Sequence, residues 1–166
     1  PELGDGFQPI EIYLAEVTQH LRLLSRTLNN DYLGHIGLRS SLQLEAERLR
    51  ALKRFAVHLQ AEEGPTGLDR NQELMVFRIF QEITQNALRY SSAKNVYINL
   101  TVQGGFEFKV SDDGKGFDKA AVVGKGKGSG LNNIMKRSGL AGLECTLTTE
   151  PGKGCLYILK KSSILA

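Results

Sequence analysis

Three groups of residues in this sequence have the types and spacing to do chemistry. The first is Glu82-Ile83-Thr84-Gln85-Asn86. Four residues apart on a helix, Glu82 and Asn86 project from one face, and Arg89 follows on the same side. An acid, an amide and a guanidinium in one row make a polar stripe on an otherwise apolar helix; an ordinary solvated helix face has the same look. The second group is Val110-Ser111-Asp112-Asp113-Gly114-Lys115-Gly116-Phe117. Two carboxylates close a strand, and Gly114 and Gly116 let the backbone approach a ligand closely. A carboxylate at such a turn accepts a hydrogen bond from an amino group. No acid closes a twelve-residue loop, which excludes a helix–loop–helix calcium site; a plain surface turn remains the competing reading. The third group is Gly124-Lys125-Gly126-Lys127-Gly128-Ser129-Gly130-Leu131, running into a helix with Asn133, Lys136 and Arg137. Backbone amides ahead of a helix N-terminus make an anion site, to which Lys125 and Lys127 add charge. The stretch lacks the Gly-Lys-Ser/Thr ending of the phosphate loop and any βαβ setting for a dinucleotide. A loop without function is the alternative.

The elements that must position these groups follow from periodicity. Ile10, Leu14, Val17, Leu21, Leu24 and Leu28 step by four and three, the spacing of a bundle seam. The seam stops at Asn29-Asn30-Asp31 and is too short to stand alone. It needs a partner, either its own domain or a second chain. A second helix is predicted over Leu38 to Arg54, then a strand over Phe55 to Gln60 and a loop at Gly64-Pro65-Thr66-Gly67. A long helix over Asp69 to Tyr90 would carry the Glu82 row. Two alternating strands meet at Gly104-Gly105 as a hairpin and deliver Asp112. After the glycine-rich stretch come a helix to Leu140, a strand over Leu143 to Thr149, a turn at Gly152-Lys153-Gly154 and a strand over Cys155 to Lys160. The fold class expected is α/β (α+β): a two-layer sandwich with helices on one face of a mixed, mostly antiparallel sheet, preceded by the bundle-type helix.

Composition sets outer limits. The 166 residues, 41% hydrophobic and 23% charged with a net charge of +3, suit one domain with a short appendage. The basic residues are dispersed, which argues against a nucleic-acid partner. Cys145 and Cys155 fit neither a zinc pattern nor a small disulfide scaffold and read as small buried hydrophobes. No apolar run approaches a membrane span. The chain does not begin with Met, so any membrane segment is expected only in missing upstream parts of the parent protein.

Taken in order, Glu-x-x-x-Asn on a helix, a hairpin, Asp-x-Gly-x-Gly and a glycine-rich stretch ending Gly-x-Gly-Leu-x-Asn resemble the ATPase domain shared by gyrase, the heat-shock 90 chaperones, histidine kinases and MutL. The resemblance runs from Leu68 to Lys161. Within that superfamily it looks most like the histidine kinases of the nitrate-sensor and DesK type, through Phe77-Arg78-Ile79-Phe80-Gln81-Glu82, Asn86-Ala87-Leu88-Arg89, Asp112 to Asp118 and Pro151-Gly152-Lys153-Gly154. Leu21 to Leu28 is similar to the end of the second helix of that family's dimerisation hairpin. The resemblance implies residues 1–30 as a partial dimerisation helix and 31–166 as an ATP-binding catalytic domain. It implies ATP and Mg²⁺, with Asn86 on the metal and Glu82 positioning or polarising the attacking group, or ordering a water on the metal. Arg89 and Tyr90 would lie near the phosphates, and Asp112 on the adenine amino group. Gly114 and Gly116 would let the backbone pass the base. Lys125, Gly126, Lys127, Gly128, Gly130 and Leu131 would form the lid, and Gly152 and Gly154 the turn beneath the adenine. Cys155 stands where the family has Thr or Ser, and Tyr90 where it has His or a similar residue. The phosphoacceptor His followed by an acid is absent; His20, His35 and His58 do not match it. The fragment is therefore expected to bind ATP without autophosphorylating. The partners implied are a response regulator, the parent's own phosphoacceptor hairpin and a second copy joined through the N-terminal helix. The place implied is the cytoplasmic side of a membrane-anchored bacterial sensor. Two other readings share the motifs: a serine kinase of the anti-sigma-factor type, and a degenerate module that binds nucleotide or dimerises without catalysis.

Overall fold

The computed structural model describes residues 36–119 and 129–161. The seam helix, His20, His35, and lid residues Lys125, Gly126, Lys127 and Gly128 lie outside the described residues. The elements are α1 over residues 36–51, then β1 (Ala56–Ala61), α2 (Arg70–Asn86), β2 (Asn95–Thr101), β3 (Glu107–Asp112), α3 (Ser129–Leu140), β4 (Leu143–Thr149) and β5 (Cys155–Lys161). The five strands form one sheet in the order β1-β2-β3-β5-β4. β1 runs parallel to β2 and every other neighbour is antiparallel. The two-layer, mixed-sheet class expected from the sequence is the one observed.

Period-two alternation sorts each strand into an inner and an outer face. Register turns the inner face into transverse rows. Leu100, Phe108, Leu159 and Cys145 make one row, and Ile98, Val110, Tyr157 and Leu147 the next. All but Cys145 are buried. The third row is Val96, Asp112, Cys155 and Thr149, where the apolar face turns polar.

α2 packs on this face because Val76, Phe77, Ile79, Phe80 and Ile83 form its apolar stripe, all buried. Phe80 meets Phe108 edge-on at 5.9 Å. A capping box starts the helix: Asp69 Oδ1 accepts from Gln72 N at 2.8 Å, and Gln72 Oε1 accepts from Asp69 N at 3.0 Å. Such a cap contributes about 1 kcal/mol. Gln72 Nε2 also donates to Ala141 O at 2.9 Å, tying the start of α2 to the end of α3. α1 buries Leu38, Leu42, Ala46 and Leu49, and its Arg50 Nε donates to Val57 O of β1 at 3.1 Å.

The long helix differs from the sequence expectation at its end. It is α-helical only to Asn86 and finishes as a π-helical turn over Ala87–Ser91. Ser91 explains where it stops. Its Oγ donates back to Ala87 O at 2.8 Å and accepts from Ala93 N at 3.1 Å, and Ser92 turns left-handed with φ of 54°.

Asp113 fastens the opposite end of the hairpin. Its Oδ1 accepts from Lys94 N at 2.7 Å and Asn95 N at 2.8 Å, and its Oδ2 from Asn95 Nδ2 at 2.7 Å. The Asn95 side chain, then the backbone amides, hold this carboxyl below the usual carboxylate range. A depressed folded-state pKa means stability present above the unfolded value and lost as pH falls through the folded one. Asp113→Asn is therefore expected to lower Tm at pH 7. The gap to the parent should close in melts run below about pH 4, the ordinary carboxylate range.

Candidate functional site

The polar row at the end of the sheet opens into a cavity of about 330 Å³. Its walls are the C-terminal part of α2, the π-helical turn, the ends of β3 and β5, and the start of α3. Glu82, Asn86, Arg89, Tyr90, Asp112, Gly116, Gly130, Leu131 and Cys155 all line it. The Glu82 row and the Asp-x-Gly-x-Gly motif therefore face one space.

Glu82 and Asn86 stand one helical turn apart at the α3 side of the cavity. Gly130 at the start of α3 lies directly against them: a Cβ there would fall 2.6 Å from Glu82 Oε1 and 3.2 Å from Asn86 Nδ2. A side chain there would push the Glu82 carboxylate from its place. Neither the Glu82 carboxylate nor the Asn86 carboxamide has a side-chain hydrogen-bond partner among the described residues, so both keep their capacity for a ligand. Tyr90, 63% exposed, stands at the mouth.

At the other end, Asp112 Oδ1 accepts from Gly114 N at 2.9 Å. Burial raises this carboxyl's pKa, aided by the neighbouring Asp113 and opposed by the Gly114 N–H and the Cys155 thiol. The two adjacent acids are thus divided in role: Asp113 is spent on the Asn95 side chain and two backbone amides, and Asp112 faces the cavity with acceptor sites to spare. Thr149 closes the row. Its hydroxyl donates to Gly154 O at 2.9 Å, accepts from Phe117 N at 3.2 Å, and lies 3.4 Å from Cys155 Sγ. A hydroxyl therefore lies beside Cys155, which itself lines the cavity.

Both thiols are free and only half-buried, more open than the sequence reading anticipated. Burial pushes both up, so they are neutral thiols at pH 7. Burial also raises the Tyr157 phenol, which stays protonated.

Gly114 is buried beneath Asp112, and Gly116 runs against the carbonyls of Glu150 and Gly154. Gly152 N donates to Lys115 O at 2.6 Å, which joins the β4–β5 turn to the loop after β3. Lys115 N in turn donates to Ser91 O at 2.8 Å, joining that loop to the π-helical turn. Among the described residues no group of three or more His, Cys, Asp or Glu is placed to hold a metal. A cation here would meet one amide oxygen, from Asn86, and bring its charge balance with the ligand. That donor set suits Mg²⁺ with a polyphosphate.

Ala87, Ser91 and Tyr157, which the sequence reading missed, also line the cavity, as do Ile83, Lys115 and Phe117, to which it gave no role of their own. Tyr157 was legible in principle, since it shares strand parity with Cys155. The π-helical turn that brings in Ser91 gave no signal, because Ala-Leu-Arg-Tyr-Ser continues a helix as readily as it ends one.

Residues 71–162 match the family described as histidine kinase-, DNA gyrase B- and HSP90-like ATPase. The match covers more than half of the chain, and the chain belongs to that family. An uncharacterized sensor-like histidine kinase of Chloroflexus aurantiacus is 34% identical over 125 residues, 71% of this chain and 21% of that protein. The sensor histidine kinase ComP of Bacillus subtilis is 26% identical over 154 residues, 92% of this chain and 20% of that protein. The chain thus spans about a fifth of the length of these relatives. In fold it is similar to the histidine kinase domain of a blue-light activated histidine kinase of Erythrobacter litoralis. The TM-score is 0.67 at 17% identity, over 96% of this chain and 88% of that one. The histidine kinase AdeS of Acinetobacter baumannii gives a TM-score of 0.65 at 19% identity, over 99% of this chain and 88% of that one.

Proposed function

We propose that this chain is the ATP·Mg²⁺-binding catalytic part of a two-component sensor histidine kinase. The phosphoryl group would pass to a histidine outside this sequence and then to a response regulator. The observation that carries the reading is a single cavity with a hydrogen-bond acceptor, Asp112, at one end and the Glu82–Asn86 row at the other. Family membership and the names of the relatives support it.

Asp112 accepts from the adenine amino group. Guanine presents a carbonyl oxygen at that position, whose lone pairs face the carboxylate, so the site discriminates against it. Asn86 holds Mg²⁺ through its amide oxygen; when bound, the ion neutralises charge on the phosphates. Glu82 orients the attacking group, and Arg89 and Tyr90 border the phosphates. Lys125, Gly126, Lys127, Gly128 and Gly130 wrap them, and Gly152 and Gly154 support the base from below. Residues 1–30 form part of a dimerisation helix through which two copies pair, and 31–166 the catalytic domain. Among the described residues no helix is long and apolar enough to cross a membrane; the domain works on the cytoplasmic side of a sensor anchored by upstream segments.

Calorimetric titration with ATP, with and without Mg²⁺, tests this. We expect metal-dependent binding that GTP does not reproduce. Asn86→Ala should weaken Mg·ATP about tenfold, the scale of one lost ligand contact, and leave metal-free binding unchanged. Absence of ATP binding at millimolar concentration removes the reading.

A further inference from the structure

We infer that Thr149 is a positioning residue for the base, holding two segments of the adenine end to its own strand through one hydroxyl. The inference rests on the nucleotide reading above and adds a residue and a role to it.

A hydroxyl has one proton to give and two lone pairs to receive with. At Thr149 the proton and one lone pair have fixed partners. The proton goes to Gly154 O at 2.9 Å. One lone pair takes the Phe117 N–H at 3.2 Å. The hydroxyl oxygen also lies 3.4 Å from Cys155 Sγ, a third polar contact. Those partners lie on two stretches of chain. Phe117 belongs to the loop after β3, and the adjacent Gly154 and Cys155 to the end of the β4–β5 turn and the start of β5.

Each of those stretches borders the base end of the cavity. Phe117 and Cys155 line it directly. The Gly154 backbone lies against the Asp112 carbonyl. Register sets Thr149 opposite Cys155 and Cys155 opposite Asp112, in the same transverse row. Thr149 is thus two strands from the acceptor that reads the base, yet bonded to every segment between the two. Removing its oxygen frees the Phe117 amide and the Gly154 carbonyl together. The distance from Asp112 to the base amino group is then no longer fixed.

The test compares ATP with purine riboside triphosphate, which lacks the 6-amino group, in Mg²⁺ titrations of the parent, Thr149→Val and Thr149→Ser. The parent should prefer ATP. Thr149→Val, nearly isosteric, should lose about tenfold in ATP affinity, in line with the loss of a hydrogen bond and the exposure of its partners. It should lose much less for the deaminated analogue, so the preference collapses. Thr149→Ser, which keeps the oxygen, should bind both within about twofold of the parent. A general loosening of the fold would weaken both nucleotides alike in Thr149→Val and would overturn the inference. So would parental affinity in Thr149→Val, or equal losses in the Val and Ser variants. Should Thr149→Val fail to fold, Thr149→Ser decides alone: it must keep the parent's preference, and a tenfold loss rejects the role. A parent that binds no ATP rejects the nucleotide reading itself, and this inference with it, before any variant is made.

Discussion

Asp112→Asn should cost ATP about 1.5–3 kcal/mol of binding, roughly 10- to 150-fold in Kd, the range for a hydrogen bond to a charged group. The substitution keeps the shape of the side chain. Its amide oxygen can still accept from Gly114 N, a bond of 2.9 Å in the parent. The NH₂ group is then left facing the base amino group, donor against donor. The same change should not harm the fold. Burial raises the Asp112 pKa, so the ionised carboxylate opposes folding at neutral pH. The folded state binds the proton more tightly than the unfolded one. The penalty is therefore full above the folded pKa and disappears as pH falls below the unfolded value. Asp112→Asn should be as stable as the parent at pH 7 or more so, with the advantage shrinking in acid. A titration and a pair of melts on the same sample separate the two effects. A variant that loses ATP only because it is unfolded at pH 7 removes Asp112 from the site.

Gly154→Ala should be the most damaging single methyl in the β4–β5 turn. Gly154 has φ of 69°, where an L side chain is strained by about 1–2 kcal/mol. Its added Cβ would overlap the Asp112 carbonyl oxygen and lie 3.0 Å from Asp112 C and 3.2 Å from Gly114 N. All three neighbours are backbone, so no rotamer relieves the contact. The end of β3 must separate from the turn. We expect about 3 kcal/mol or more in total, a fall in Tm of about 10 °C, together with loss of ATP binding. Gly152→Ala is the control. Gly152 has φ of 82° but open space around a Cβ, so it carries the strain without the collision. Equal melting temperatures for the two variants would show that crowding against Asp112 plays no part.

The sequence made the sheet legible wherever one face is buried and the other is not. Val96, Ile98 and Leu100, or Phe108 and Val110, alternate strictly, and register followed from the Gly104-Gly105 hairpin. The same parity puts Asp112 on the inner face. What it could not reveal was that Asp113 is consumed by Lys94 and Asn95, because those partners lie across a strand pair. The parallel pairing of β1 was hidden for a related reason. A parallel neighbour is set by a crossover, here through α2, and leaves no mark in a six-residue strand. Thr149 escaped notice because threonine is an ordinary strand residue; only register makes it a neighbour of Cys155. The Glu82 row and the glycine pairs were visible through their order and spacing along the chain; each alone has an ordinary structural reading.

Helix α2 spends one side on Val76, Phe77, Ile79, Phe80 and Ile83 in the core and presents Glu82 and Asn86 to the cavity from its final turn. No joint separates the two tasks. A substitution that lets the helix slide or rotate on the sheet, by loosening Phe80 against Phe108 for example, shifts the reactive groups by the same amount. Sequence drift in this helix is therefore constrained twice over. A lineage that wandered from the chemistry through α2 would also be wandering toward an unfolded chain, while the outer face of the sheet stays free to diversify.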